Sequence, residues 1–400
     1  MVEFLRQSPV FCRYLLAVAS AALGDALIFI ALPFLVLSLS DSPQTLATVV
    51  VLGSLPRFFG PLIGNLADRV ALRRPLVAAG LLRAALFGLL AGLAIAGTLP
   101  IALIYVAALL NGLLSIFVFS ASNVVVPQLV SEQQLERANS LLQGAIMGIP
   151  LLGFAVGGTL VATLGSALTV ALAVPCFVGL SAVMRTLRLP RRAASGTTSF
   201  VADLAIGAKL LTSQTTFAVL LGLSLVLNAA LSGLNVAVPL TMRDLGLGAR
   251  GFGLFEMTLS VGMLGGIVGV GLLRGRFSLG VQVGGSSLIV ASGLALMSLL
   301  DVYALFGGAA LLGFGLGMSE VAAITLLQKL IPNGQRGKVL GFVLSVNALG
   351  LAAGAYTAGL VLAATTATVV YASGSLLIGA FALVWIAYQL RRPPVPASAS

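Results

Sequence analysis

Residues 64–76 read GNLADRVALRRPL, a short charged segment between two long apolar runs. It carries one carboxylate, Asp68, and three guanidinium groups, on Arg69, Arg73 and Arg74. The apolar runs on both sides have about 20 residues or more, which is the length of a helix that crosses the hydrocarbon core of a bilayer. Because charged side chains are costly to move through hydrocarbon, the segment predicts a loop fixed at one membrane face.

The composition of the whole chain supports a membrane environment. Of its 400 residues, 59% are hydrophobic and 8% are charged, whereas ordinary soluble domains are roughly 25% charged. A globular protein of this size cannot enclose so much apolar side chain, but lipid solvates it directly. We therefore predict an all-α integral membrane protein.

Apolar runs bounded by charge, proline or glycine predict twelve membrane-spanning helices. They cover residues 13–39, 44–67, 75–96, 100–126, 137–163, 166–187, 214–241, 251–273, 280–300, 303–328, 338–362 and 366–390. The least marked boundary separates the fifth run from the sixth, where only Thr163, Gly165 and Ser166 interrupt the apolar sequence.

The distribution of lysine and arginine predicts the orientation of these spans. With the N-terminus in the cytoplasm, 18 of the 22 basic residues fall in cytoplasmic segments. Only Arg243 and Arg250 fall in outer segments, and Arg57 and Arg83 lie inside spans. Cytoplasmic segments of membrane proteins carry such an excess of basic residues. We therefore predict a multi-pass protein of the plasma (inner) membrane with both termini in the cytoplasm.

Several functional classes lack the residues that they require. The net charge of +11 is spread over many short segments rather than one solvated face, which argues against nucleic-acid binding. The chain has no histidine, and Cys12 and Cys176 lie in or beside apolar runs, so we predict no metal site and no cofactor. The phosphate-binding GxxxxGK(S/T) loop of an ATP-driven pump does not occur. Without histidine, a cysteine pair or clustered carboxylates, we predict that the protein is not an enzyme.

The longest polar stretch begins RLPRRAASGTTS at Arg188 and divides six spans from six. We predict an N-terminal six-helix bundle over 1–187, a cytoplasmic linker over 188–213 and a C-terminal bundle with a short tail over 214–400. Within the linker, apolar residues recur at helical spacing from Phe200 to Leu211. This pattern predicts either an amphipathic helix on the inner membrane face or a solvated connection.

Short echoes in the sequence indicate that the two halves are repeats. ALP at 31–33 is echoed by AVP at 237–239, GNLADR at 64–69 by GLLRGR at 271–276, and QLV at 128–130 by KLI at 329–331. All three offsets are about 200 residues. Such repeats are found in secondary transporters, whose substrate sites lie between the repeated units.

On these features the chain resembles the major facilitator superfamily over nearly its whole length. The segment 64–76 is similar to the family motif G-x-L-x-D-R-x-G-R-R, and the matching residues are Gly64, Leu66, Asp68, Arg69 and Arg73. Ala71 and Leu72 replace the usual glycine and basic residue. The resemblance implies two pseudo-symmetric six-helix bundles that rock about a central site.

The resemblance also implies a latch between the two bundles. The Asp68 carboxylate would pair with the N-terminal end of the eleventh span, near Gly337 and Lys338, and stabilise the outward-facing state. A helix N-terminus favours a carboxylate by roughly 0.3–1 kcal/mol. Close helix approach at Gly64 and the charges of Arg69, Arg73, Arg74 and Arg83 would complete this latch. The alternative, a segment that only anchors the topology, explains the arginines but not Asp68.

The fifth span carries a second resemblance. Gly153, Phe154, Gly157 and Gly158 are similar to a degraded form of the antiporter motif G-P-x-x-G-G, with Phe154 in place of proline. Glycines at this spacing also let helices pack closely, and that alternative stays open. The segments 127–143 and 326–342 resemble the drug/macrolide-efflux and siderophore-exporter branch of the superfamily.

Five charged residues inside the spans are candidate site residues, because a charge in hydrocarbon costs several kcal/mol. Asp25 lies near the middle of the first span, Arg57 near the middle of the second, Glu256 in the outer third of the eighth and Glu320 in the inner half of the tenth. Asp25 is the leading candidate for proton binding, because removal from water favours a protonated carboxyl group. If Arg57 pairs with Asp25, the pair is structural instead. Glu256 and Glu320 are candidates for proton or substrate binding, and Arg83 is assigned to the latch.

Uncharged polar side chains inside the spans are few: Asn111, Ser115, Asn123, Gln143, Asn228 and Asn235. A cavity so apolar suits lipophilic or amphipathic solutes better than sugars, which need many hydrogen-bonding groups. We predict proton-coupled efflux of such small molecules by a monomer surrounded by membrane lipids. The alternative is proton-coupled or facilitated uptake of a small metabolite. A channel or scramblase is disfavoured by the repeat and the latch motif.

Overall fold

The computed structural model describes residues 8–187, 200–273, 277–331 and 335–391. All regular structure in these ranges is helical, and twelve of the helices are long and apolar enough to cross a membrane. This confirms the predicted all-α fold with twelve spans. Numbered in chain order as spans 1 to 12, they are Pro9–Leu37, Pro43–Ala67, Arg73–Ile95, Ile101–Leu129, Leu135–Leu164, Ser166–Thr186, Thr215–Asp244, Gly248–Leu272, Leu279–Met297, Val302–Leu330, Arg336–Ala364 and Ala367–Leu390.

The short interruption between spans 5 and 6 is a single residue, Gly165. Its φ of 86° lies in the left-handed region, where residues with a Cβ are strained. Span 5 ends at Leu164 and span 6 begins at Ser166, so the chain reverses around this glycine. The least marked boundary of the sequence prediction is therefore confirmed.

Span 2 is not the single continuous helix that the sequence predicts. It consists of an α-helix over Pro43–Ser54, a 3-10 segment over Leu55–Phe59 and a second α-helix over Gly60–Arg69. Pro56 has no backbone N–H and its ring crowds the preceding turn, so an α-helical hydrogen bond is lost where the 3-10 segment begins. Such a 3-10 stretch inside a helix often marks a functional segment.

The packing of the spans repeats between the two halves. Span 1 packs on spans 5 and 6, and span 7 packs on spans 11 and 12 in the same way. The pairs 2 with 4 and 3 with 6 are likewise matched by 8 with 10 and 9 with 12. This pattern agrees with the sequence echoes, and the exact bounds of the two bundles stay a prediction.

The predicted linker helix is present over Phe200–Ser213, while residues 188–199 lie outside the described residues. It packs mainly on span 11. A Cβ placed on Gly207 would lie 2.2 Å from Cγ of Phe342, so the two helices meet without room for a side chain there. The linker helix is therefore docked on the C-terminal half, and its position on a membrane surface stays a prediction.

An even number of spans places both chain ends at one face, which we call the terminal face; the opposite one is the far face. At the far face the two halves touch. A Cβ on Gly359 of span 11 would lie 2.4 Å from Cβ of Ala47 in span 2. Arg243, at the end of span 7, forms an ion pair of 2.9 Å with Asp41 in the loop after span 1. Both contacts join one half to the other at the far face.

Candidate functional site

A space opens between the halves toward the terminal face. Spans 5 and 8 touch near the far face, where a Cβ on Gly253 would lie 2.3 Å from the carbonyl oxygen of Phe154. Further along span 5, Cβ atoms on Gly144 and Gly148 would meet nothing within 4 Å. Leu264 in span 8 follows Gly253 on the same face and is 42% exposed. Spans 5 and 8 therefore diverge, and the space between the halves widens toward the terminal face on their side, whereas spans 2 and 11 stay in contact where Pro61 approaches Gly341.

Four aromatic rings close this space toward the far face. The ring of Phe29 in span 1 lies 5.3 Å from that of Phe154 in span 5 and 6.0 Å from that of Phe252 in span 8. The ring of Phe34 lies 6.0 Å from that of Phe252. These rings, which we call the aromatic seal, join the two halves through apolar contacts.

Asp25 lies directly beneath the aromatic seal. It precedes Phe29 by four residues, so the two side chains share one face of span 1, with Asp25 one turn nearer the terminal face. Its carboxylate pairs with Arg83 of span 3. The side chain of Arg83 is 1% exposed, whereas that of Asp25 is 42% exposed. The carboxylate is therefore accessible from the cavity, while its partner is sealed within the N-terminal half.

Arg83 is held by two further groups. Its Nε donates a hydrogen bond of 2.8 Å to Oδ1 of Asn111 in span 4. Its guanidinium carbon lies 4.0 Å from the ring centroid of Phe177 in span 6, a cation–π contact. Four spans thus meet at one buried cation, which contacts Asn111 and Phe177 in addition to Asp25.

The structure corrects two expectations about these charges. The sequence assigned Arg83 to the latch with Asp68 and raised a pair between Arg57 and Asp25. Arg83 instead binds Asp25, because both lie at mid-span and spans 1 and 3 both pack on span 6. Arg57 interacts electrostatically with Asp25 but makes no hydrogen bond or ion pair within the described residues.

Glu256 comes from the other half and lies at the same level. It follows Phe252 by four residues, so both side chains lie on one face of span 8, and Glu256 is one turn nearer the terminal face. Asp25 and Glu256 therefore belong to opposite halves, and both lie one turn beneath the Phe29–Phe252 ring contact. Within the described residues the Glu256 carboxyl group has no hydrogen-bond or ion-pair partner, and it is partly exposed.

Glu320 is not brought to this place. It follows Gly317 of span 10 by three residues, and a Cβ on Gly317 would lie 2.0 Å from the carbonyl oxygen of Met263 in span 8. Glu320 therefore lies on the face of span 10 directed at span 8, nearer the terminal face, and its side chain is exposed. Of the carboxylates predicted to bind protons or substrate, Asp25 and Glu256 lie beneath the seal and Glu320 does not.

The predicted latch residues other than Arg83 lie at the terminal face. The side chain of Asp68 lies outside the described part of the structure, so its pairing stays a prediction. Arg69 donates a hydrogen bond of 3.0 Å to Asn65 one turn earlier, and Arg73 donates to the carbonyl oxygen of Arg185 at the end of span 6. Arg74 is exposed.

Two glycines of this region mark helix approaches. A Cβ on Gly64 would lie 4.0 Å from Oγ of Ser120 in span 4. A Cβ on Gly341 of span 11 would lie 3.1 Å from Cγ of Pro61, which brings the start of span 11 beside the second part of span 2. Asp68 lies two turns beyond Pro61 toward the terminal face, and Gly337 one turn before Gly341.

The glycines of span 5 act in packing. Cβ atoms on Gly153 and Gly157 would lie 2.6 Å from Cβ of Ala26 and 3.5 Å from Cβ of Ile30, both in span 1. A Cβ on Gly158 would lie 2.6 Å from the carbonyl oxygen of Ala249 in span 8. Span 5 is thus wedged between spans 1 and 8, as the packing alternative predicted.

This packing makes Gly158 the basis of a first prediction. We expect Gly158→Val to shift the protein toward a state that is open at the far face, because backbone atoms of span 8 occupy the space of the new side chain. Overpacking costs about 1–3 kcal/mol, which corresponds to a population shift of roughly 5- to 150-fold. Spin labels at Thr98 and Leu299, in far-face loops of opposite halves, report the change as a longer distance in pulsed electron paramagnetic resonance.

Gly144→Val is the matched control, because its Cβ meets open space in the same span. We expect it to leave the label distance unchanged. An unchanged distance in Gly158→Val as well would show that contact between spans 5 and 8 does not hold the far face closed.

Sequence reasoning missed five members of this arrangement. Asn111 was counted only among the few polar residues of the spans, although a polar side chain in the middle of an apolar span was a signal. Phe29, Phe34, Phe177 and Phe252 carried no signal in the sequence, since aromatic residues are common in membrane helices. Their roles depend on which faces of the helices meet.

Comparison with known proteins agrees with the fold. Residues 14–303 match the family model described as Major Facilitator Superfamily. No curated protein matches the sequence. The nucleoside transporter NupG is similar in structure, with a TM-score of 0.76 and 14% identity, covering 96% of this chain and 100% of that one.

Two further solved structures are similar. A bacterial homologue of the iron transporter ferroportin, in an inward-facing state, has a TM-score of 0.66 and 19% identity, covering 94% of this chain and 98% of that one. A bacterial homologue of the human lysosomal transporter Spinster, inward-facing and unoccupied, has a TM-score of 0.73 and 12% identity, covering 97% and 99%. At these identities the likeness concerns the fold alone, and the relationship to the efflux and siderophore-exporter branch stays a prediction.

The family match begins in span 1 and reaches the start of span 10, which is well over half of the chain. Together with the twelve spans, it shows an integral multi-pass secondary transporter of small molecules rather than an enzyme. The chain belongs to the Major Facilitator Superfamily.

Proposed function

We propose that the protein exports lipophilic or amphipathic small molecules in exchange for protons, by alternating access of a central cavity. The observation that carries this proposal is the Asp25–Arg83 pair, in which a cavity-exposed carboxylate meets a sealed cation. A carboxylate in that position can exist in two states. It is either ionised and bound to Arg83, or protonated and released toward the cavity.

The surroundings of Arg83 make both states accessible. When Asp25 takes up a proton, Arg83 retains the hydrogen bond to Asn111 and the ring of Phe177. The cation therefore needs no rearrangement of its own, and the proton changes only the ion pair between Asp25 and Arg83. A switch of this kind requires a group whose contacts differ between two conformations.

The position beneath the aromatic seal supports coupling to solute movement. Asp25 and Glu256 belong to different halves, and the contact between Phe29 and Phe252 lies one turn beyond both. A change of charge at either carboxyl group changes the cost of closing the cavity around it, because closure removes water. Asp25 is the proposed proton-binding group, and Glu256 is the second candidate for this role.

The lining of the cavity supports an apolar or amphipathic cargo. The seal above it is built from phenylalanine rings, and Phe29 is 36% exposed. Pockets that bind such compounds are mostly apolar with a few placed polar groups. Sugars need more hydrogen-bonding partners than the spans supply.

The proposed orientation is the one predicted by the excess of basic residues. The terminal face is then cytoplasmic, and the cavity opens toward the cytoplasm, where an exporter collects its cargo. We further propose a monomer in the plasma membrane, surrounded by lipid. Uptake of a metabolite is the alternative that the following experiment separates.

The purified protein is reconstituted into liposomes, and a pH gradient of either sign is imposed across the membrane. Flux of a panel of lipophilic dyes and drugs is followed together with internal pH. We expect solute to move against the direction of proton flow. Solute movement in the same direction as protons would support uptake, and flux that is independent of the gradient would contradict proton coupling.

The latch gives a second prediction, which rests on the family motif. We expect Asp68→Asn to slow turnover while solute binding stays within about twofold of wild type, because Asp68 lies at the terminal face away from the seal. The measurements are initial transport rates in liposomes and equilibrium binding in detergent. Glu132→Gln, an exposed carboxylate at the same face, is the control. Loss of binding in Asp68→Asn would contradict a role confined to conformational change.

A further inference from the structure

Arg57 is a cation at the middle of the membrane without a paired anion. It lies in the 3-10 segment of span 2 and is exposed. Among the described residues it forms no hydrogen bond or ion pair, and the charge acting on it is that of Asp25. Asp25 already binds Arg83, so that charge is largely neutralised.

Arg57 lies on the side of span 2 that is near Asp25. The charge of Asp25 acts on its guanidinium, and the Asp25 carboxylate is itself exposed beneath the seal. On either side of Arg57 along the chain, span 2 packs on protein: the carbonyl oxygen of Gly53 approaches Gly112 of span 4, and Pro61 approaches Gly341 of span 11. The exposed part of Arg57 is therefore assigned to the space between the halves.

The segment that carries Arg57 is held by span 11 of the other half. Oγ of Ser345 in span 11 donates a hydrogen bond of 2.8 Å to the carbonyl oxygen of Phe58. Ser345 is buried, and the ring of Phe58 packs edge-on against that of Phe59 with centroids 5.2 Å apart. A cation on a segment held in this way is presented to the cavity at a defined position.

The two mid-membrane arginines differ in the partners that surround their guanidinium groups. Arg83 has a carboxylate, an amide and an aromatic ring, so its charge is fully satisfied by protein. Arg57 depends on water in the open cavity. When the cavity closes at the terminal face that water is lost, and an uncompensated guanidinium then opposes closure. An anion bound at Arg57 removes this cost.

We propose that Arg57 binds the acidic group of an amphipathic organic anion, whose apolar part lies against the phenylalanine rings of the seal. A guanidinium offers a planar pair of donors that matches a carboxylate, sulfonate or phosphate group. This inference rests on the proposed function and narrows its substrate class. A bound anion also favours closure, since it neutralises the charge that opposes it.

The test uses two probes that share a naphthalene ring and carry permanently charged groups of opposite sign, 2-naphthalenesulfonate and 2-naphthyltrimethylammonium. Binding to the purified protein in detergent is measured by equilibrium dialysis, and flux is measured in proteoliposomes under a pH gradient. We expect wild type to bind and transport the sulfonate in preference to the ammonium compound. We expect Arg57→Gln to weaken sulfonate binding about 10- to 100-fold, the loss of one charge-assisted hydrogen-bonded pair, and Arg57→Lys to weaken it less.

Arg250→Gln, an exposed arginine at the far-face end of span 8, is the control and should leave sulfonate binding unchanged. Thermal unfolding shows whether each variant folds. We expect Arg57→Gln to be at least as stable as wild type, because it removes an unpaired charge. If Arg57→Gln does not fold, thermal unfolding of wild type is measured with each probe instead. The inference then predicts that the sulfonate raises the unfolding temperature and that the ammonium compound does not.

Equal sulfonate affinity in wild type and Arg57→Gln, or preference of wild type for the ammonium probe, would overturn the inference. Proton-coupled flux of the ammonium probe would then still support the proposed function. If neither probe nor any compound of the lipophilic panel moves with the gradient, the proposed function itself fails. The two outcomes are therefore distinguishable.

Discussion

Asp25→Asn is expected to abolish solute accumulation driven by a pH gradient. Exchange of solute down its own gradient should remain intact. Asparagine has the shape and the neutrality of the protonated carboxyl group, so the variant is fixed in one of the two states of the switch. Its side-chain oxygen can still accept a hydrogen bond from Arg83, which limits structural damage. Without a change of charge at this position, proton movement no longer biases the conformational equilibrium.

The measurement compares two assays in the same proteoliposomes. Gradient-driven accumulation should fall to the level of protein-free liposomes, whereas counterflow of labelled solute should persist. Asp244→Asn is the control, because that carboxylate is exposed at the far face beside Arg243. If accumulation survives in Asp25→Asn, proton coupling belongs elsewhere and Glu256→Gln is the next variant to test.

The fold was predictable because it depends mainly on where apolar and basic residues occur along the chain. Lipid requires about 20 apolar residues per helix, and the positions of arginine and lysine mark alternate faces, so twelve spans follow from counting. The break in span 2 was not predicted, although Pro56 was visible. Prolines also lie inside spans 1, 4, 5, 6 and 7 without such a break. Whether a proline interrupts a helix depends on neighbours that replace the lost hydrogen bond.

The candidate site was predictable only in part, for a related reason. Sequence indicates the depth of each charge in the membrane but not the side of the helix bundle that it faces. Asp25, Arg57 and Arg83 all lie near mid-span, and two pairings were compatible with depth alone. Span 3 packs on span 6, which places Arg83 over Phe177 and beside Asp25. Arg57 is left without an anion by the same arrangement.

The largest effect on stability is expected from Arg83→Met. Removing one partner of a buried ion pair costs about 3–5 kcal/mol. We expect a value near the lower end, about 3 kcal/mol, because the carboxylate left behind is 42% exposed and keeps some hydration. The variant also leaves Asn111 without its donor and removes the cation–π contact with Phe177. Unfolding of the detergent-solubilised protein by heat and by denaturant measures the loss.

A double-mutant cycle separates the ion pair from the other contacts of Arg83. In Asp25→Asn/Arg83→Met neither charge remains, so the double variant should be more stable than the sum of the single losses predicts. Arg74→Met, an exposed arginine at the start of span 3, should leave stability within about 0.5 kcal/mol of wild type. Strictly additive losses would mean that Asp25 and Arg83 do not interact energetically. The two-state carboxylate on which proton coupling rests would then lack its partner.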